Sequence, residues 1–545
     1  MPLKLKLGFV MDAQSLDRAG LWLDVITQDS AIKRVVILIT PNSLAPSFDH
    51  YDPPRLYLRC LIAIEKWFLK RSGKYARSFH AYADPDQHRT PLFGKNIKDR
   101  RIAVQFLDGP LESQHLTLRG LDLDLLVLGP ECPPSPELAS LFPKGLIGIS
   151  YQRGGEARSI WEAGLQEIVA RESTIAFEIY RYAKHDALKE VLWFCRIPTA
   201  PFASLNPTRV QRKAYGLVKR SLVSMQHGNG HRTALPLSST PPREASPLPA
   251  TSTYLRAIIE RQWLSALTKI QRLERVWSLG YQNQPDWCES SLKDFTPVPN
   301  PSGRFLADPF VFEREGKTIC FAEDYDYAKR RGRITAFEIT AQGCLELGIV
   351  LDEACHLSYP FLFEADGQLY MCPETLGINE IRLYRCEEFP LKWCYHATLI
   401  EHVQAVDTNI FEHEGRWWLM TSMDSGKMGD FDSELHLYYA ERFDASNWIA
   451  HPMNPVIVDS EIARNGGFIK RDDALYRVRQ RHGFSAYGAG ISVSRIMHLD
   501  SARYDEEPIF NFDIEHVDKV LGVHTYTEAG DVRFVDTVSL QKRPR

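Results

Sequence analysis

Two aspartates sit at matching places in a phrase that the chain writes more than once: Asp308 in "LADPFVFE" and Asp407 in "AVDTNIFE". A third copy, "LSYPFLFE", has Tyr359 at that place with His356 just before it. Two weaker copies bring Arg464 with Asn465, and His524. Most copies also end on a polar residue, in turn Glu323, Glu374, Gln480 and Asp536. A lone aspartate at the head of a strand is most often a turn former. Carboxylates, imidazoles and a guanidinium at equivalent points of several apolar strands instead suit a polar ligand, provided the fold brings those points together.

The spacing says how it would. The copies 309–323, 360–374, 408–422, 466–480 and 522–536 follow one another at intervals of 51, 48, 58 and 56 residues. Each reads as a strand, a charged turn and a second strand rich in aromatic or β-branched residues. Glycine closes the turn at Gly316, Gly367, Gly415 and Gly530. A hairpin signal with a period near fifty is that of a propeller blade, so residues 285–545 are expected to form an all-β five-bladed propeller. In that architecture the first strand of every blade lines the central axis. The head residues would then share one funnel.

The rest of the chain reads differently. Short apolar runs at 4–10, 34–40, 102–107, 123–129 and 146–151 alternate with helical segments, notably 54–73, and a hairpin follows them. The pattern predicts an α/β domain with an open parallel sheet over residues 1–200. Residues 201–284 read as two helices, 206–226 and 253–277, around a Pro- and Ser-rich linker at 227–252. Both helices are basic with one apolar face. That suits packing between the domains, or peripheral contact with an anionic membrane. With 545 residues, 44% hydrophobic and 25% charged, and a net charge of −4, the chain has no global charge for binding nucleic acid. Its ten cysteines form no CxxC pair, which suits a reduced, cytoplasmic protein, including one at the inner face of a membrane. The four-residue apolar run near the start is too short for a signal peptide, and no run approaches a membrane span.

The motifs "RFLADPF", "HLSYPFLFE", "PET", "VDTNIFEHEGRWWL" and "LGVHT" resemble the propeller found at the N-terminus of plant glucosamine inositolphosphorylceramide transferase and in bacterial polysaccharide-locus proteins. That propeller is similar in fold to the arabinanase, levansucrase and invertase group. There, an aspartate in a blade-one "DP" step and acids from later blades carry catalysis. The resemblance makes Asp308, Asp407 and Glu374 the candidate catalytic residues. Glu323, His356, Tyr359, Arg464, Gln480 and His524 would hold substrate. It implies a bacterial glycosyltransferase of cell-surface polysaccharide or glycolipid synthesis, acting on a carbohydrate or sugar nucleotide. A glycoside hydrolase and a non-catalytic sugar-binding or scaffolding protein are the alternatives. Residues 1–200 resemble the N-terminal domain of formyltransferases. The loop after the fifth strand, "SYQRGGEARS", lacks the histidine of that chemistry, and "VLGPECPPSP" lacks its asparagine, so a degenerate domain is expected.

Two smaller signals complete the reading. "EDYD" carries a DxD in which Asp324 and Asp326 would hold a divalent metal and a sugar-nucleotide diphosphate. No G-x-G-x-x-G or Walker motif is present, and no other cofactor is expected.

Overall fold

A computed structural model describes residues 5–12, 32–40, 65, 102–107, 111–129, 135–153, 156–158, 162–184, 189–226, 251–283, 292–426, 428–484, 486–512 and 519–542. The chain divides into two units, Met1–Ile259 and Glu260–Arg545.

In the first unit the apolar runs form one sheet. Strands Leu5–Asp12, Ile32–Thr40, Ile102–Phe106, Leu125–Leu128 and Leu146–Arg153 are parallel, with the first strand between the second and the fourth. An antiparallel hairpin, Thr174–Tyr182 with Lys189–Pro198, extends the sheet from the fifth strand. Leu125, Leu126, Val127 and Leu128 are all buried, as a strand covered on both faces requires. The helix expected over 54–73 lies outside the described residues apart from Glu65, and so does the linker expected over 227–252 apart from Thr251 and Ser252, which open the second helix. A likeness of this sheet to a formyltransferase is not evident.

The first basic helix has the bounds expected and the second does not. Asn206–Gln226 is packed into the first unit: Lys213 is 2% exposed, and Val210, Ala214, Leu217 and Val218 are buried. Arg209, Arg212, Lys219 and Arg220 on the same helix are half-buried. The second helix runs over Thr251–Ile270 rather than to 277, and Trp263 on it is exposed. Beyond Ile270 the chain turns into a strand.

That strand, Leu273–Asn283, belongs to the propeller, so the domain begins before residue 285. Four antiparallel sheets of consecutive strands cover 304–351, 358–401, 405–458 and 465–511. The fifth blade is made from both ends of the unit. Its hairpin, Tyr526–Ala529 with Val532–Lys542, pairs along its outer edge with Leu273–Asn283 over eleven residues, from Val532 opposite Asn283 to Lys542 opposite Leu273. The five innermost strands contact one another in a ring, with Arg304–Arg314 against both Ser358–Ala365 and Tyr526–Ala529. Apolar clusters fill the spaces between blades; one joins Phe310, Phe361 and Ile410 from the first three. Leu279, opposite Asp536, is buried in the closing strand. Leu279→Ala would leave a cavity in this closing strand, at a cost of about 2–5 kcal/mol. A thermal melt should show the propeller transition lowered by roughly 10 °C; an unchanged midpoint would mean that the strand does not close the ring.

Candidate active site

The innermost strand of each of the first three blades slips register once. The slips fall between Ala307 and Phe310, Ser358 and Phe361, and Val406 and Asn409. At each one a non-glycine residue takes the left-handed conformation: Asp308 (φ 47°), Tyr359 (φ 44°) and Asp407 (φ 50°). Such a bulge re-aims its side chain, and left-handed non-glycine backbone costs about 1–3 kcal/mol where the surroundings hold it. Aspartate visits this region more readily than tyrosine does. Blade four has glycines here, because a Cβ on Gly466 would lie 2.4 Å from the His524 carbonyl. Its contribution comes from either side, from Arg464 and Gln480.

Two charge centres result. In the first, Asp308 accepts from the Thr525 hydroxyl at 2.8 Å and the Tyr359 amide at 3.2 Å. His524 bridges Asp308 and Asp536, with Nε2 3.2 Å from one carboxylate and Nδ1 2.7 Å from the other. The Asp308 amide donates to Asp536 at 2.9 Å, which ties blade one to blade five. Among the described residues, Asp308, His524 and Asp536 could bring ligand atoms to a metal within 4.8 Å of one another. The imidazole already answers the charge: despite burial, which lowers it, the Asp536 and Asp308 carboxylates carry the His524 pKa above its ordinary value.

In the second centre, Asp407 accepts from Arg464 Nε at 2.6 Å and Gln480 Nε2 at 3.0 Å. Asn465 donates to the Asp407 carbonyl at 2.8 Å and is itself anchored by Arg477, whose guanidinium is fully buried against Glu506. Arg464 reaches Asp432 at 2.9 Å, and His482 lies 3.3 Å from the same carboxylate. Asp432, His482 and Asp536 complete the two centres. Asp432 and His482 lie outside the repeated phrase, so no periodicity pointed to them.

Between the centres stand two glutamates. Burial, and next the Asp407 charge, raise Glu374 to about 8, and it shares a hydrogen bond with Asp407. Burial, with Asp308 next, pushes Glu323 well above its ordinary value, and His356 stands 3.3 Å from it. Asp308 itself is raised to about 6, chiefly by burial and against the pull of His524. An arrangement that drives neighbouring carboxyls apart in pKa is one that can hold an acid and a base at the same pH.

Most of the expected residues therefore meet: Asp308, Asp407, Glu374, Glu323, Arg464, Gln480 and His524, with His356 at the rim. Tyr359 does not serve as expected. Its ring is buried edge-on against Phe310 and its hydroxyl donates to Asn409 at 2.9 Å, so it supports the wall and has no hydroxyl to offer a ligand. The DxD pair is also placed otherwise. Strand alternation turns Asp324 away from Glu323, into contact with Arg304, Arg333 and Thr335. Asp326 caps a turn through the Ala328 and Lys329 amides. Arg304, Arg333 and Thr335 share Asp324 Oδ2 and two amides share Asp326 Oδ1, while Asp324 Oδ1 is buried without a hydrogen-bond partner.

Glu374 offers a test in pH. A carboxyl raised from 4.5 to about 8 adds stability that is complete below about 4.5 and lost as pH rises through about 8. His524, also raised, acts in the same sense. Melting temperature should fall across that range. Glu374→Gln, which mimics the protonated form, should flatten the fall; a variant as pH-sensitive as the native chain would remove Glu374 from this account.

Residues 291–528 match the family described as glucosamine inositolphosphorylceramide transferase 1, N-terminal, a span that covers blades one to four and reaches into the fifth. Glucosamine inositolphosphorylceramide transferase 1 of Arabidopsis thaliana is 36% identical over 217 residues, 39% of this chain and 28% of the relative. Its counterpart in Oryza sativa subsp. japonica is 34% identical over 221 residues, again 39% of this chain and 29% of the relative. The chain thus spans under a third of the curated relatives it matches. Among solved structures, the catalytic domain of the Coprinopsis cinerea GH62 alpha-L-arabinofuranosidase overlaps 48% of this chain and 98% of its own at 10% identity. Its TM-score of 0.34 is too loose to carry an argument about chemistry. The resemblance of the propeller is to the N-terminal part of the transferases.

Proposed function

We propose that the axial cluster of the propeller performs glycosyl transfer in the synthesis of a cell-surface polysaccharide or glycolipid. The observation that carries this reading is the convergence of Asp308, Asp407 and Glu374, from blades one, three and two, beside Arg464 and His524. The name of the relatives supports transfer. Glycosyl chemistry passes through a transition state with positive charge developing on the sugar ring, which carboxylates stabilise. Asp407, held by Arg464 and Gln480, is positioned for that role. Asp308, raised to about 6, is free of its proton near neutrality and can take one from an acceptor hydroxyl. Glu374, raised to about 8, still holds its proton there and can give it to a leaving oxygen.

That last feature favours a second reading, glycoside hydrolysis, since a sugar leaving group needs a proton and a diphosphate does not. Asparagine tolerates the left-handed conformation, so Asp308→Asn and Asp407→Asn should fold with near-native melting. Each should lose at least a hundredfold in turnover of a glycosyl donor. The native pH–rate profile should be bell-shaped, rising near 6 and falling near 8. Transfer and hydrolysis are told apart by whether the product carries an acceptor or water. Sugar binding with no turnover on any donor would leave a binding module instead.

The first unit we propose to be a formyltransferase-like domain without that activity, since its two loops lack the histidine and asparagine. Turnover of a formyl-folate donor with any sugar amine would overturn this.

A further inference from the structure

The strand that closes the ring also reaches into the site. Trp277, on Leu273–Asn283, lays its ring against His524 with centroids 3.9 Å apart and planes at 33°. Tyr487, on strand Ala486–Leu499 of blade four, meets Trp277 edge-on at 6.2 Å and 83°. It also touches the imidazole of His482, stacked at 5.0 Å, that of His524, edge-on at 5.3 Å, and the guanidinium of Arg464, 5.0 Å from the ring centre. Each of these partners grips a carboxylate of the cluster, so the two rings border both charge centres. Neither ring is core. Tyr487 is 41% exposed and Trp277 is partly open.

The local backbone accommodates this approach. Gly488 takes φ +64°, and a Cβ there would come within 2.6 Å of the Trp277 ring. The Tyr487 ring is open while its hydroxyl lies at the deep end. There burial first, and the Asp407 and Asp308 charges against the pull of Arg464, hold it protonated as a donor. Two aromatic faces beside a cluster of acids present an apolar wall next to hydrogen-bonding groups. The ligand that matches both is a pyranose, with C–H bonds on one face and hydroxyls around its edge.

We propose that Trp277 and Tyr487 form the wall of a sugar subsite, with the Tyr487 hydroxyl donating to the ring bound there, and that the subsite takes a neutral or amino sugar and not a uronic acid. The second clause follows from charge. Asp308, Glu323, Glu374, Asp407, Asp432 and Asp536 gather at the axis, and Arg464 is already committed to two of them. A sugar carboxylate would add like charge to a cluster whose His524 and Arg464 are already paired, while an ammonium would offset it. The proposal rests on the carbohydrate reading above. It adds a residue from outside the span matched to the transferase family, since Trp277 precedes residue 291.

The test is saturation-transfer NMR on the full chain with methyl glucoside, glucosamine and glucuronic acid. Saturation should appear on the C–H protons of one sugar face for the first two and be absent for the third. Tyr487→Ala and Trp277→Phe should each weaken binding by about tenfold, whereas Tyr487→Phe should keep the C–H contact and lose part of the affinity. Should Trp277→Phe melt early because it sits in the closing strand, the Tyr487 variants decide. If Asp407→Asn removes binding while Tyr487→Ala does not, the wall is wrong and the carbohydrate site stands. No transfer to any of the sugars in the native chain would overturn both. Equal binding of glucuronic acid would overturn the charge selection.

Discussion

Everything at the axis depends on one pairing, the eleven-residue ladder between Leu273–Asn283 and Val532–Lys542. Four blades made of consecutive strands would leave an open fan with two exposed edges, which are sites of unwanted strand addition. The fifth blade removes them by taking strands from both ends of the unit. Only then do Asp308 and Asp536, 228 residues apart, come within hydrogen-bond distance, and His524 gains its second carboxylate. The entropy of closing so long a loop grows only with the logarithm of its length. An extended ladder and an apolar interface can offset that cost.

Within the ring, the site is an exercise in placing more negative charge than an apolar interior tolerates. The chain manages it by three physical means. His524 and Arg464 neutralise directly. Backbone amides and hydroxyls, from Tyr359, His524 and Thr525, share the load on Asp308 and Asp536. What remains raises the proton affinity of Glu323 and Glu374, Glu374 to about 8. Burial and like charge, normally a liability, thereby drive neighbouring carboxyls apart in proton affinity.

Neighbouring residues show how sharply the geometry sorts roles. Glu323 and Asp324 are adjacent and both acidic. Alternation along the strand sends the first toward the axis and the second into ion pairs with Arg304 and Arg333. Asp308 and Tyr359 occupy the same strained bulge in successive blades. The short carboxylate reaches the axis, while the long phenol is drawn into the interblade core, where its hydroxyl finds Asn409. Equivalent backbone does not mean equivalent use.

The blade count, the alternating runs of the first unit and the set of polar strand heads were legible in the amino-acid sequence. They rest on local regularities, a hairpin period and apolar runs, that any stretch carries within itself. Three things were not legible. The helix expected to run to Trp277 stops at Ile270, because residues 273–283 are claimed by a partner strand some 260 positions later. Asp432 and His482 entered the site without any repeat to mark them. The protonation of Glu374 and Glu323 depends on which acids stand beside them across the axis. Each is a matter of long-range contact. Periodicity records what a segment prefers, but pairing partners and electric fields exist only once the ring has closed.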